Sequence, residues 1–554
     1  MKKQILTGAE SFEEIVGGDY FYVDKTLFIK ELLEKRGKVT LFTRPRRFGK
    51  TMNMSMLKSF FDIKLDSRAL FNGLGIMEHP ELVEKHLNSY PVVFLTLKNI
   101  EAARYENSIE GISILISSIF RQNLHICENG SLDEYKKKDF HRFCAKESTE
   151  TELQSALYFL TECLYEYHKK RVIVLLDEYD APITNALMEG YYDEMIGFMR
   201  GFLGSVFKTN DYLEFGVLTG VQRISKEGLV SGFNNPKVCG IMDKDFPTCF
   251  GFTESEVKNA CDMYELSNMF DDVKRWYDGY RFGGQDIYNP WSITGYLREG
   301  MFDEYWVNTG SLTIFKEIFQ KGDVSLKDEI AGLITGAPVT MNLMDGITYP
   351  TDYRSSDAFW TLMLNAGYIK PCNGAKQNEI FNAELVNTEI RNIFSRYAGR
   401  WFADRQSPVS EAIQKFVGCL LKGDVEGVGR TLNDDLLNNP SCHDFKEENS
   451  YHMFIYGILL AVSGDYSVYS NPESGKGRSD CLIKPNDKEK FAVVIEFKHK
   501  SEDGKDLKNE ALKALGQIDE KAYVHNLKSE GYGRIYKYGI AFHKKTCEAV
   551  MEPV

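Results

Sequence analysis

No apolar run in this chain is long enough to cross a bilayer, and the first ten residues hold two lysines but no apolar core of a signal peptide. The first absence argues against a membrane-spanning helix and the second against secretion, so a cytoplasmic protein that meets no membrane is expected. The eleven cysteines stand singly, without one C-x-x-C pair. That argues against a zinc ribbon, suits a reducing compartment, and makes each thiol a small buried hydrophobe. Low-complexity tracts, heptad arrays and internal repeats are also missing. Positive charge is in deficit: the formal net charge is −13. A protein that binds polyanions over its whole surface is thereby excluded, and any nucleic-acid contact has to come from local basic patches. What remains is the composition of an ordinary globular protein. Its 554 residues are enough for roughly three or four domains.

One further absence sits inside the most informative stretch. Val39-Thr-Leu-Phe-Thr43 is a short β-branched and apolar run, followed by Arg44-Pro-Arg-Arg-Phe-Gly-Lys-Thr51 and a helix-like segment to Phe61. Strand, tight loop ending in Gly-Lys-Thr, then helix is the layout of a phosphate-binding P-loop. Backbone N–H groups at the helix start bind phosphate oxygens, Lys50 reaches the β- and γ-phosphates, and Thr51 offers a hydroxyl to Mg²⁺. Arg46, Arg47, Phe48, Gly49, Lys50 and Thr51 are therefore the candidate ATP-binding residues. The first glycine of G-x-x-x-x-G-K-[ST] is lacking, because Arg44 stands in its place. Alone, the tripeptide fits a basic surface turn equally well.

A second stretch separates the two readings. Arg171-Val-Ile-Val-Leu-Leu-Asp-Glu-Tyr-Asp-Ala-Pro182 is an apolar run that ends in carboxylates. It reads as a central parallel strand whose C-terminal end carries acids, where ligands sit in open α/β sheets. Asp177 is placed to hold Mg²⁺, and Glu178 to orient or deprotonate the attacking water. Pro91 to Leu97 reads as another buried strand, and 108–167 as helical with a break near Glu128-Asn-Gly-Ser. Leu213 to Thr219 is a further strand, ending in Thr219-Gly-Val-Gln-Arg223. A polar residue at that tip can sense the γ-phosphate. Arg223 either stabilises transition-state charge, in cis or on a neighbouring subunit of a homo-oligomer, or makes a surface ion pair. Upstream, Tyr20 and Tyr22 alternate as on a short strand, either in the core or against the nucleotide base.

The middle of the chain is turn-rich and aromatic. Thr253 and Glu256 form a capping-box pattern. Asp278-Gly279 suggests a hairpin, Asn289-Pro290 opens a helix, and Tyr305 to Gly310 reads as short and extended. These aromatics either pack a small lid or stack bases. Ala358 to Lys370 reads as helix then strand, compatible with a winged-helix unit.

Chemistry returns near the C-terminus. A mostly apolar helix from Glu448 to Val462 precedes three meander strands, Tyr466–Ser470, Arg478–Ile483 and Phe491–Lys498. A helix over 506–527 and a last strand, Arg534 to Ala541, follow. Residues i and i+2 of a strand share a face, so Glu496 and Lys498 point one way and Phe497 the other. Asp480 lies one strand earlier, where a hairpin brings it beside Glu496, and Glu448 approaches from the helix. Clustered carboxylates bind Mg²⁺ or Mn²⁺, which polarises a phosphodiester and lowers the pKa of bound water. Lys498 would position or deprotonate that water, or stabilise the pentavalent phosphate. A half-exposed strand with a Glu/Lys pair is the plainer reading, but Val493-Val-Ile495 marks a buried strand, where charges need a purpose.

In these regions the sequence resembles a known family. The Arg44–Thr51 loop, Tyr22-Val-Asp-Lys-Thr26, Leu176-Asp-Glu-Tyr-Asp-Ala-Pro182, Thr219-Gly-Val-Gln-Arg223 and Tyr277-Asp-Gly-Tyr280 look like the bacterial AAA-ATPase-like proteins. The arginine-rich loop variant is normal in that family. Glu448-x-x-Tyr-His452, Gly477-Arg-Ser-Asp480, Glu496-Phe-Lys498 and Gln517-Ile-x-x-Lys521 are similar to the PD-(D/E)xK nuclease domain that often accompanies this ATPase. The resemblance is weakest over 315–440. It implies ATP binding and a nuclease fold, with Gln517 and Lys521, one helical turn apart, either contacting substrate phosphate or supporting that site.

The expected architecture is α/β with three parts. These are a P-loop NTPase with a helix-flanked parallel sheet over 1–250, a lid or winged-helix-like connector over 251–410, and an α/β PD-(D/E)xK nuclease-like domain over 411–554. The expected function is ATP-gated, metal-dependent cleavage of nucleic acid, DNA before RNA. Two alternatives stand beside it: an ATP-controlled binding or sensing module with a silent nuclease fold, and a nucleotide-gated switch without hydrolysis.

Overall fold

The computed structural model describes the chain apart from residues 1, 129–131, 225–235, 309–325, 327–328, 331–332, 334–337, 345–354, 373–379, 395–407, 437–450, 452–454, 457, 460–465, 471–472, 475–476, 479, 500–505 and 544–545. It divides into two compact units, Met1–Ile318 with Met341–Phe381, and Phe319–Thr340 with Asn382–Val554.

In the first unit, the apolar runs pair into a five-stranded sheet. Its strands are β1 (Val39–Thr43), β2 (Val92–Thr96), β3 (Val172–Asp177), β4 (Leu213–Gly220) and β5 (Lys237–Cys239), in the order β2-β3-β4-β1-β5. Every pair is parallel. All of β1 and β3 is buried, as expected of parallel strands covered on both faces, which read as unbroken apolar runs instead of alternating. Parallel pairing requires crossovers, and helices supply them. Lys50–Phe61 follows β1, and Tyr105–Gln122, Glu134–Ala145 and Glu150–His168 lie between β2 and β3. The last of these starts at a capping box in which Thr149 and Glu152 satisfy each other's backbone N–H.

The aromatic stretch forms a small module of this unit. β6 (Phe252–Thr253), β7 (Tyr280–Phe282) and β8 (Gln285–Tyr288) make an antiparallel sheet of order β6-β8-β7. The expected capping box at Thr253 and Glu256 is present, and Asn289 caps the helix Pro290–Glu299. The hairpin turn, however, is Gly283-Gly284, with φ of 55° and 87°, and not Asp278-Gly279. Two consecutive positive φ values are what a two-residue hairpin loop demands, and two glycines meet that demand better than Asp-Gly. Tyr305–Asn308 is a 3₁₀ turn, not an extended piece, and Tyr20 and Tyr22 lie on irregular chain. Next in sequence come β9 (Val339–Asn342), the helix Ser356–Ala366, β10 (Ile369–Pro371) and β11 (Ile380–Leu385), the strands ordered β10-β11-β9.

The second unit holds a mixed sheet. β12 (Tyr466–Ser470), β15 (Cys481–Pro485) and β16 (Ala492–His499) form the expected meander, with β13 (Glu473–Ser474) and β14 (Gly477–Arg478) as a two-stranded ribbon in the β12–β15 connection. β17 (Ile535–His543) runs parallel to β16 after the helices Leu507–Glu520 and Val524–Ser529. β18 (Thr546–Pro553), unforeseen from sequence, closes the order β12-β15-β16-β17-β18. Val493, Ile495 and Phe497 enter one apolar cluster, while Ala492 and Val494 join another with Leu515 and Ile518. β16 is thus covered on both faces. Of the predicted helix 448–462, Tyr451, Ile455, Tyr456, Ile458 and Leu459 are described, and all are buried. Among the described residues no helix is long and apolar enough to cross a membrane.

Candidate functional sites

β1 delivers the phosphate loop and β3 delivers the acids, with β4 between them. Gly49, at φ 79°, turns the chain into the helix that Lys50 begins. Lys50 is only 4% exposed. Its ammonium donates to the carbonyl oxygens of Arg44 (3.2 Å) and Pro45 (3.1 Å) and faces Glu178 Oε1 at 3.4 Å. Asp177, fully buried, accepts three hydroxyls: Thr51 at 2.8 Å, Thr219 at 2.5 Å and Thr96 at 3.4 Å. Burial and the charge of Glu178 push the Asp177 carboxyl above its ordinary range, and the Thr219 and Thr51 hydroxyls oppose that rise. Glu178 sits at φ 53°, a left-handed conformation that a non-glycine residue rarely takes and that recurs at functional sites. Thr51 and Asp177 fit a hard cation: a hydroxyl and a carboxylate already in contact, at the head of a helix.

The arginines of the loop separate into distinct roles. Arg44 is fully buried. Its guanidinium donates to the carbonyls of Thr43 (2.9 Å), Cys239 (2.8 Å) and Phe246 (3.2 Å). It also lies 5.3 Å from the Phe250 ring and 5.0 Å from the Phe282 ring. It therefore joins β1, β5 and the aromatic module, and leaves its own carbonyl to Lys50. Burial lowers it to about 10, still charged at neutral pH. Arg47 lies 4.1 Å over the Trp291 ring. The Arg46 carbonyl accepts from Trp306 Nε1 at 3.4 Å and Asn289 Nδ2 at 3.5 Å. Phe48 is buried against Tyr280 and Phe282, so its backbone N–H is what it can offer a phosphate.

In the second unit, the hairpin register places Asp480 beside Glu496. Asp480 N–H donates to Glu496 Oε2 at 3.3 Å, and Phe497 N–H donates to Asp480 Oδ2 at 2.7 Å. Gln517 Nε2 donates to the other oxygen of Glu496. Glu496 is 2% exposed, whereas Lys498, two residues along the strand, is half-buried. The helix bearing Gln517 reaches this position because Gly539, opposite Glu496 in register, has no side chain. A Cβ there would lie 2.1 Å from the Ala511 carbonyl oxygen and 2.7 Å from Leu515 N. Lys521 is exposed at the end of that helix. Glu448 lies outside the described residues, and among those described no group of three His, Cys, Asp or Glu side chains gathers as a metal set. Asp480 and Glu496 nonetheless fit a divalent cation as two adjoining carboxylates.

Comparison with known proteins bears on both units. Residues 7–230 match the family model described as "Predicted AAA-ATPase". Residues 446–552 match the PD-(D/E)XK nuclease superfamily. The chain carries an AAA-ATPase-like domain and a PD-(D/E)XK nuclease-superfamily domain. It is also 29% identical over 565 residues to a protein of Azotobacter chroococcum mcd 1 described as "Uncharacterized protein in vnfD 5'region", with 99% of this chain and 98% of the relative covered. That likeness therefore extends through the segment between the two domains.

The AAA-ATPase-like domain also holds groups to which the motifs assigned no role. Thr96 is one. Tyr22-Val-Asp-Lys-Thr26 is another: Asp24 accepts from Thr26 and from Gly75 N–H, Thr26 Oγ1 accepts from Ile76 N–H, and Lys25 pairs with Glu256 at 2.7 Å. That motif is a knot in the fold. Arg223 Nε is buried and finds no hydrogen-bond partner among the described residues. Arg44, which stands where the P-loop pattern has its first glycine, is a structural anchor. Arg44→Met is expected to lower stability by about 3 kcal/mol, because the buried Cys239 and Phe246 carbonyls lose their donor. A thermal midpoint unchanged from wild type would show that the residue is not an anchor.

Proposed function

We propose that the AAA-ATPase-like domain binds and hydrolyses ATP, and that its nucleotide state gates phosphodiester cleavage by the nuclease-superfamily domain. The observation that carries the first half is the meeting of Lys50, Thr51, Asp177, Glu178 and Thr219 at the strand ends. The loop N–H groups from Arg46 to Thr51 would cradle the phosphates, and Lys50 would leave the Arg44 and Pro45 carbonyls for the β- and γ-oxygens. Thr51 and Asp177 would hold Mg²⁺, which neutralises phosphate charge. Glu178, released from Lys50, would take the proton of the attacking water, and Arg223 would meet the charge that develops on the γ-phosphate.

For the second half, Asp480 and Glu496, with Glu448, would hold Mg²⁺ or Mn²⁺, which supplies an activated water and a polarised phosphate. Lys498 projects from the same face as Glu496 and would hold that water or the scissile phosphate. The substrate class is nucleic acid, DNA before RNA, and the domain boundaries at 250 and 410 belong to the same proposal. The experiment is cleavage of labelled DNA and RNA with Mg²⁺ or Mn²⁺, with and without ATP, by wild type and Asp480→Ala. Cleavage lost in the variant and changed by ATP supports the reading. No cleavage from protein that hydrolyses ATP would instead support a binding module with a silent nuclease fold.

A further inference from the structure

The turn that follows β4 is clasped by the residues that follow Glu178. Asp180 Oδ2 accepts from the N–H groups of Val221 (2.9 Å) and Gln222 (2.8 Å). The Tyr179 hydroxyl donates to the Gln222 carbonyl at 2.7 Å and accepts from Ile224 N–H at 3.1 Å. Gly220 makes the fit possible: a Cβ there would lie 2.6 Å from Asp180 Oδ1 and 2.7 Å from the Tyr179 ring. The turn is thus tied to the end of β3, just beyond Asp177 and Glu178. Burial and the charge of Glu178 push Asp180 up to about 6, and its Oδ1 has no partner among the described residues.

From this turn one buried side chain reaches outward. Gln222 Nε2 donates to the Leu362 carbonyl at 3.4 Å, and its Oε1 accepts from Asn365 Nδ2 at 3.1 Å. Leu362 and Asn365 belong to the helix Ser356–Ala366. The C-terminal end of that helix also meets the phosphate loop. The helix ends at Gly367, φ 86°, where a Cβ would lie 2.9 Å from Pro45 Cβ. The next ring, Tyr368, meets Trp306 at 4.9 Å, and Trp306 donates to the Arg46 carbonyl. The helix, with the glycine that ends it, therefore meets both the turn after β4 and Pro45 of the phosphate loop. Each contact is a step from a group that must change partner when phosphate takes Lys50: the Pro45 carbonyl on one side and Glu178 on the other.

We propose that Gln222 and Asn365 are a positioning pair that makes the helix Ser356–Ala366 the reporter of nucleotide state. The proposal rests on the reading that ATP binds at Lys50 and Thr51. A buried amide left unpaired is costly, so the pair holds through the change and carries the motion of the turn into the helix.

The test is amide hydrogen exchange over residues 356–366 of the full chain, with and without MgATP, beside calorimetric titration of ATP. Wild type is expected to bind ATP and to slow exchange in this helix by about tenfold, within the usual range of coupling between sites. Asn365→Ala is expected to bind ATP as wild type does and to lose that slowing, with its thermal midpoint retained. Gln222→Met, which fills the space without an amide, removes the pair from the other side and is expected to lose the slowing too. Exchange indifferent to ATP in a wild type that binds it overturns the proposal. Full slowing retained in a folded variant overturns it equally. A wild type that takes up no ATP in the calorimeter overturns the functional reading, and the inference with it.

Discussion

Lys50→Ala is expected to weaken ATP binding by about a hundredfold, which corresponds to about 3 kcal/mol. The ammonium is almost wholly enclosed, at the start of the helix that follows the loop. Hydrogen bonds from a charged donor to phosphate are worth roughly 1.5–3 kcal/mol each, and Lys50 would make at least one to each terminal phosphate. Part of that gain is offset by the two carbonyls and the ion pair that the same ammonium would give up. Isothermal titration measures the outcome. A dissociation constant within threefold of wild type would mean that the loop does not bind ATP through this residue.

Glu496→Gln carries the other large effect: cleavage is expected to fall about a thousandfold or more, with the fold intact. The substitution keeps the volume and an oxygen able to accept from Asp480 N–H. It removes the negative charge that a divalent cation requires, and sets an amide against the amide of Gln517. The measurement is single-turnover cleavage at saturating Mn²⁺, paired with a thermal melt. Wild-type cleavage from a folded variant would place the chemistry elsewhere, or in a contaminating enzyme.

The parts of these sites that could be read from sequence are those whose chemistry is local in the chain. Lys50 and Thr51 follow from a loop between strand and helix, Asp177 and Glu178 from an apolar run that ends in acids, and Glu496 with Lys498 from the two-residue period of a strand. The pairing of Asp480 with Glu496 needed only a hairpin. What could not be read depends on distant partners. Arg44 looks like one more phosphate-loop cation until Cys239, Phe246, Phe250 and Phe282 close around it. Asp180 and Gln222 were visible in their motifs, yet what they hold is set by a turn some forty residues away or by a helix more than a hundred away. The Gly283-Gly284 turn was masked by a stronger-looking Asp-Gly nearby. β18 was hidden by the glutamates on its exposed side, although Cys547 and, in part, Ala549 and Met551 alternate into the core.

The position of β4 has a dimensional consequence. Neighbouring strands stand about 4.8 Å apart, so two strands with a third between them are separated by roughly 9–10 Å. That is the spacing between β1, which feeds the loop, and β3, which carries the acids. A phosphoryl group with its bound cation and an attacking water needs a width of this order, whereas adjacent strands would leave half of it. The intervening strand acts as a spacer. Its last residue but one, Thr219, stands between the two, where its hydroxyl already holds the acid that would share the cation.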